Sequence, residues 1–258
     1  MAVERAKEPS PLVSPGQVPL LYLDANVLLP EYLRAVILDL ADAELVRVYW
    51  GEQVLAEVRR NLLKPKFGMT SEAIDKLLHD MRDAFPDALV WGSEALEREF
   101  EGKTDPKDAH VAAGALKLSR SLYGGEHVLL VTGNIRHLPQ AAFLGMPVRP
   151  ARPGAVLNDL LAAQPAVADV LDAMIARFKK PEVSREDLLA ILDASNCRAF
   201  ATALGNVWSL ARGLSFDMVT RHRTNMASPE PGAVLRWARC KGLARLARAA
   251  AGLPSTSA

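Results

Sequence analysis

Cysteine is almost missing from this chain: Cys197 and Cys240 are the only two in 258 residues. They lie far apart and without metal-ligand spacing, which excludes a disulfide scaffold and leaves two free thiols. No apolar run approaches the roughly 20 residues needed to span a bilayer. The first residues, MAVERAKEPSPLVSPGQ, lack the apolar segment of a secretory signal and read as a flexible leader over residues 1–17. These absences predict a soluble, cytoplasmic protein with no membrane partner. Half the residues are apolar and 24% are charged, an ordinary globular composition at a length of about one to two domains.

The formal net charge of +1 conceals an asymmetry. From Asn206 to Ala258 there are eight cations (Arg212, Arg221, Arg223, Arg236, Arg239, Lys241, Arg245 and Arg248) against Asp217 and Glu230, so the preceding residues are net acidic. A polyanion bound there must meet a local basic patch or a bound cation rather than an overall positive field. Within the basic segment, 206–258, Val234 to Ala250 has the spacing of a helix with Arg239 interrupting its apolar stripe; it reads equally as a grip for RNA or a partner and as a cationic disordered tail.

Apolar periodicity alternates between the two main types. Strands are expected at Val18–Leu23, Val46–Trp50, Ala88–Trp91, Val128–Thr132 and Met146–Val148, and helices at Glu31–Ala43, Gly51–Leu63, Ser71–Phe85 and Asp105–Ser119. This order predicts an α/β fold with a mainly parallel sheet covered on both faces, functional groups collecting at the carboxyl ends of the strands. Beyond Gly154 the strand signal stops. Val156–Gln164, Ala166–Phe178 and Arg185–Ala194 predict an all-helical extension over 151–205, following a first domain over 18–150.

Acids stand where apolar packing is expected. Asp24 directly follows a buried strand, which is costly unless the carboxylate is hydrogen-bonded, paired or bound to a cation; alone it reads equally as a turn cap. Glu57 borders the apolar stripe of its helix, and alone it reads as a surface glutamate beside Arg60 or Asn61. In DPKDAHVAAGAL, Asp108 shares a helical face with Val111, Ala112 and Ala115, whereas Asp105 with Pro106 resembles a helix start with a capping box. His110 turns away from Asp108 and reads as surface or packing. Thr132, Gly133 and Asn134 end the most apolar strand, where a hydroxyl and an amide can orient water, or simply turn the chain.

Three acids from separate elements make a hard oxygen site suited to Mg²⁺ or Mn²⁺ and to phosphoryl chemistry. Arg59, Arg60, Lys64, Lys66, Lys103, Lys107 and Arg136 are candidates to track an RNA backbone, each alone reading as a solvated charge.

In order and spacing, LDANVLLP, the Glu57 helix, DPKDAHVAAGAL and VTGNIRHLP resemble the motifs of PIN-domain ribonucleases, especially VapC-like toxins of type II toxin–antitoxin systems. The resemblance covers about residues 18–150 and implies a PIN-like fold. It matches Asp24, Glu57 and Asp108 to the acidic triad of metal ligands, Asp105 to an accessory acid, and Asn134 to a position where many members carry an aspartate. Asn134 lacks that charge, which leaves the number of metals open. The resemblance further implies endonucleolytic cleavage of RNA, a homodimer and inhibition by a small antitoxin protein.

LYLDAN and VLLVT also resemble motifs of haloacid-dehalogenase-like phosphohydrolases, but Asn26 stands where that chemistry wants an acid and the later lysine and acid pair is missing. A PIN-like binding or scaffold module without turnover is the alternative outside enzymes.

Overall fold

The computed structural model describes residues 11–179 and 181–211. The buried run LLYL forms β1 (Leu20–Leu23), followed by a one-turn helix, α1 (Ala25–Leu28), where sequence periodicity had no signal to offer. Helix α2 (Glu31–Asp42) leads to β2 (Arg47–Gly51), then α3 (Glu52–Leu62), then α4 (Ser71–Ala84), whose start is capped by the Thr70 side chain accepting from Ala73 N. The short strand β3 (Leu89–Val90) precedes α5 (Ala109–Lys117), β4 (Val128–Val131) and β5 (Val148–Ala151).

The five strands form one sheet in the order β3-β2-β1-β4-β5, and each adjacent pair is parallel. The chain therefore has the expected α/β, PIN-like architecture: a parallel sheet flanked by helices, with an all-helical C-terminal part. The order reverses at β1. With right-handed crossovers, connections toward β3 and toward β5 leave on opposite faces, which opens a crevice between the carboxyl ends of β1 and β4. Asp24 and Thr132 emerge at this crevice.

Two details differ from the periodicity. The last strand, Val148–Ala151, overlaps the expected Met146–Val148 only at Val148 and contains Pro150, tolerated because β5 is an edge strand. Helix α5 starts at Ala109 rather than at Asp105, and its N-cap, Asp108, makes no side-chain cap. In place of a capping box, Asp105 Oδ1 accepts from Lys107 N at 3.0 Å, so Asp105–Asp108 is a turn in front of the helix.

The small residues of α5 have a steric cause. Tyr22 is fully buried, with its hydroxyl between α5 and β2; a Cβ on Gly51 would lie 2.6 Å from that hydroxyl, and one on Gly114 would overlap the ring. Burial, with the nearby Asp24 charge, raises the Tyr22 pKa, so the phenol stays neutral. Arg34 is also buried. Its Nη1 donates to the carbonyls of Leu28 and Leu29, satisfying the open end of α1 and so fixing the turn that carries Asp24 and Asn26.

Beyond β5 come α6 (Pro153–Ala163), α7 (Ala166–Arg177), α8 (Arg185–Ala194) and α9 (Arg198–Ala211). The fourth of these was not among the expected helices, although Phe200, Leu204 and Trp208 recur at helical spacing and are buried. Arg177 on α7 pairs with buried Asp39 on α2, and Tyr32 meets Phe178 at a centroid distance of 5.5 Å. The entry to β1 is held too: Leu12 N donates to Asp159 Oδ2 at 2.8 Å, and Gln164 Nε2 donates to Gln17 O at 2.7 Å. A single hydrophobic cluster runs from Val13 through the sheet to Trp208. Cys197 is a buried free thiol whose pKa burial pushes up to about 11. Cys240 and the expected helix Val234–Ala250 lie outside the described residues. No helix among the described residues is long and apolar enough to cross a membrane.

Candidate functional site

Asp24 is 4% exposed and sits at the N-cap of α1 without capping it. Its Oδ2 accepts from Thr132 Oγ1 at 2.6 Å and from Asn26 Nδ2. Asn26 Oδ1 in turn accepts from Gly133 N at 2.8 Å, tying α1 to the loop after β4. Thr132 Oγ1, fully buried, accepts from Asn134 N at 2.9 Å.

A second carboxylate is joined to the same chain of contacts. Asn134 Nδ2 donates to Asp108 Oδ2 at 3.0 Å, and His137 Nδ1 lies 3.1 Å from that oxygen and 3.5 Å from Asp105 Oδ2. Asp105 N also donates to the His137 carbonyl at 3.1 Å. Asp24, Thr132, Asn134, Asp108 and Asp105 are thus brought together, with Asn134 as a neutral strut between two acids. Both side-chain bonds to Asp24 fall on Oδ2, as do both to Asp108.

Glu57, half-buried on α3, joins this group through its field. The Asp24 carboxyl is pushed above the ordinary range chiefly by burial, with the charges of Asp108 and Glu57 adding to it and the Thr132 hydrogen bond opposing it. Among the described residues, no three His, Cys, Asp or Glu side chains close around a common point as ligands do. The carboxylates whose charges act on Asp24 are those of Asp108 and Glu57, and Asp105 meets Asp108 through His137.

The cations fall into two groups. Arg59 is committed to α4, its Nε 2.6 Å from Asp75 Oδ1 and its Nη2 2.8 Å from Ser71 Oγ, and Lys64 Nζ donates to Asn61 Oδ1 at 2.6 Å. Arg60, Lys103, Lys107 and Arg136 are exposed. Lys103 and Lys107 flank Asp105 in sequence, and Arg136 precedes His137.

Three residues at this edge went unread in the sequence. Asn26 resembled an ordinary turn residue, His137 meets its acids only through the fold, and Arg152 begins a helix with its Nη1 donating to the Gly133 carbonyl at 3.3 Å. His110 is half-buried, with an Nε2 that has no hydrogen-bond partner.

Residues 153–206 match the model of the VapC50 C-terminal domain. The match begins two residues after β5 and covers α6 through most of α9, so it is the helical part that is similar to that domain. No curated protein and no solved structure matches the chain.

Proposed function

We propose that this chain is a divalent-metal-dependent endoribonuclease of the VapC type, the toxin of a toxin–antitoxin pair restrained by a small antitoxin protein. The observation that carries the reading is the buried Asp24 at the carboxyl end of β1, joined through Thr132 and Asn134 to Asp108; burial chiefly, with the charges of Asp108 and Glu57 adding to it, holds its carboxyl above the ordinary range. Like charges in a partly dry site call for a cation. The likeness of α6–α9 to the VapC50 C-terminal domain supports the same family from an independent part of the chain.

The donor set fits Mg²⁺ or Mn²⁺, because hard carboxylate oxygens are what these ions take and because the side-chain hydrogen bonds to Asp24 and to Asp108 each fall on one oxygen, Oδ2. Asp24, Glu57 and Asp108 would hold the ion, with Asp105 as an accessory acid. When bound, such an ion lowers the pKa of a water and neutralises charge on a phosphodiester. Thr132 and Asn26 hold Asp24 in one rotamer, and Asn134 does the same for Asp108. The amide and backbone N–H groups of Gly133 and Asn134 keep the loop after β4 at a fixed distance from both acids, a preorganisation that raises rate only if it survives substrate binding. Arg60, Lys103, Lys107 and Arg136 contact RNA phosphates without reading sequence. A homodimer accompanies this reading, as do the boundaries of a nuclease domain at about 18–150.

The experiment is cleavage of a mixed RNA pool by the purified chain with Mg²⁺, Mn²⁺ or chelator, beside folded Asp24→Asn and Asp108→Asn variants. Metal-dependent cleavage lost in both variants is the expected result. Metal binding by the wild type without RNA turnover overturns it in favour of a binding module.

A further inference from the structure

The strand register places two unassigned residues on either side of the acids. Leu23 is paired with Val131 and Val131 with Ala151, so Asp24, Thr132 and Arg152 stand side by side at the carboxyl edge. In the other direction Tyr22 pairs with Tyr49 and Gly51 with Val90, so Asp24 is followed along the edge by Gly51 and then Val90, with Trp91 one residue further out. At a strand spacing of about 4.8 Å, Trp91 and Arg152 each lie about 10 Å from Asp24 and about 20 Å from each other.

Trp91 is 59% exposed, an indole left in water by a fold that buries Trp50 and Trp208. A cation accompanies it: Lys117 Nζ donates to the carbonyl of Gly92 at 3.0 Å. Arg152 is exposed as well, and its bond to the Gly133 carbonyl aims the guanidinium at the loop that carries Asn134. An aromatic face with a cation at one end, the linked acids in the middle and a guanidinium at the other end match the alternation of base and phosphate along a single strand.

We propose that the carboxyl edge of the sheet carries single-stranded RNA across the strands, with one base stacked on Trp91 and a phosphate on the far side of the cut held by Arg152. This rests on the nuclease reading above. The segment at Trp91 is unpaired, because a base stacked in a duplex has no free face for the indole.

The test uses the full chain in an Asp24→Asn background with Mg²⁺, so that the oligonucleotide survives, and a fluorescently labelled single-stranded RNA 12-mer as probe. Fluorescence anisotropy gives affinity, and 2-aminopurine placed at successive positions reports stacking by quenching. Trp91→Ala should weaken binding about 5- to 150-fold and abolish quenching at one position, while Trp91→Phe retains both. Arg152→Ala should lower the slope of log affinity against log salt by about 0.7, one phosphate contact. A duplex of the same sequence should bind without any Trp91 dependence.

The inference is overturned if Trp91→Ala and Arg152→Ala leave affinity, quenching and salt slope unchanged while the unsubstituted chain still cleaves RNA with metal; the nuclease reading then stands without it. If the unsubstituted chain neither binds nor cleaves RNA, both fall.

Discussion

The Thr132 hydroxyl donates to the Asp24 carboxylate at 2.6 Å although the two residues are 108 positions apart. Adjacent parallel strands bring them together, and a hydroxyl there offsets part of the cost of burying a charge. Removing it leaves Asp24 short of a donor and Asn134 N without its acceptor. Thr132→Val should lose about 1–3 kcal/mol of stability in urea denaturation and roughly tenfold or more in RNA cleavage, with Thr132→Ser retaining most of both. Full activity in Thr132→Val would show that the hydroxyl has no part in holding the site.

Asp24 also links the site to pH. Its folded pKa is raised above its unfolded value, mainly by burial, so the native state holds this proton more tightly than the unfolded chain does. The stability that proton supplies is present below the unfolded pKa and is lost as pH rises through the folded value. In chelator, Asp24→Asn should therefore be more stable than wild type at neutral pH by about 0.5–2 kcal/mol, with the gap closing as pH falls. Denaturation series at several pH values measure this; a gap that widens on acidification would contradict the sign.

Asn134 donates to Asp108, so an aspartate in its place sets a second negative charge against that carboxylate. Asn134→Asp should melt about 2–8 °C lower in chelator, corresponding to about 1–2 kcal/mol at this chain length, and should gain more than wild type when Mn²⁺ is added. Thermal melts with and without metal decide it, equal Mn²⁺ increments in both proteins being the unfavourable result.

Gly114 leaves room for Tyr22, and no other side chain fits that spot. Gly114→Ala should cost about 1–3 kcal/mol through overpacking, part of it recovered in Gly114→Ala/Tyr22→Phe, where the hydroxyl is gone. A double-mutant cycle showing no coupling would mean that α5 shifts away from the sheet instead.

Much of this architecture is legible in the amino-acid order because it rests on local periodicity. Leu20–Leu23 and Val128–Val131 are apolar throughout, as parallel strands covered on both faces must be, and an acid or hydroxyl right after such a run stands out. Asp108 was legible for the same reason, as a carboxylate beside Ala and Val. Contacts that depend on tertiary placement were not. His137 reaches Asp105 and Asp108 through a loop, Asn26 bonds across to Gly133, and Arg59 turns to Asp75 instead of an open surface. Helix α5 starts four residues later than the spacing predicts, because Asp105 and Pro106 suit a turn as well as a helix cap. Glu57 could be placed on its helix from the spacing, but its effect on Asp24 is a property of how α3 packs against α1.

The helices after β5 reach the site by a short route. Arg152 opens α6 while bonding Gly133, Asp159 and Gln164 on the same helix hold the chain entering β1, and Gly154 has only backbone atoms of Asn196 and Cys197 within about 3 Å of where a Cβ would stand. One helix therefore clasps the first strand at its start, the fourth at its exit and the turn before α9. Mutational drift in the helical half is transmitted to the spacing of the acids, so the two halves are expected to change together over evolution, and a graft of either onto a foreign partner carries the cost of rebuilding the clasp.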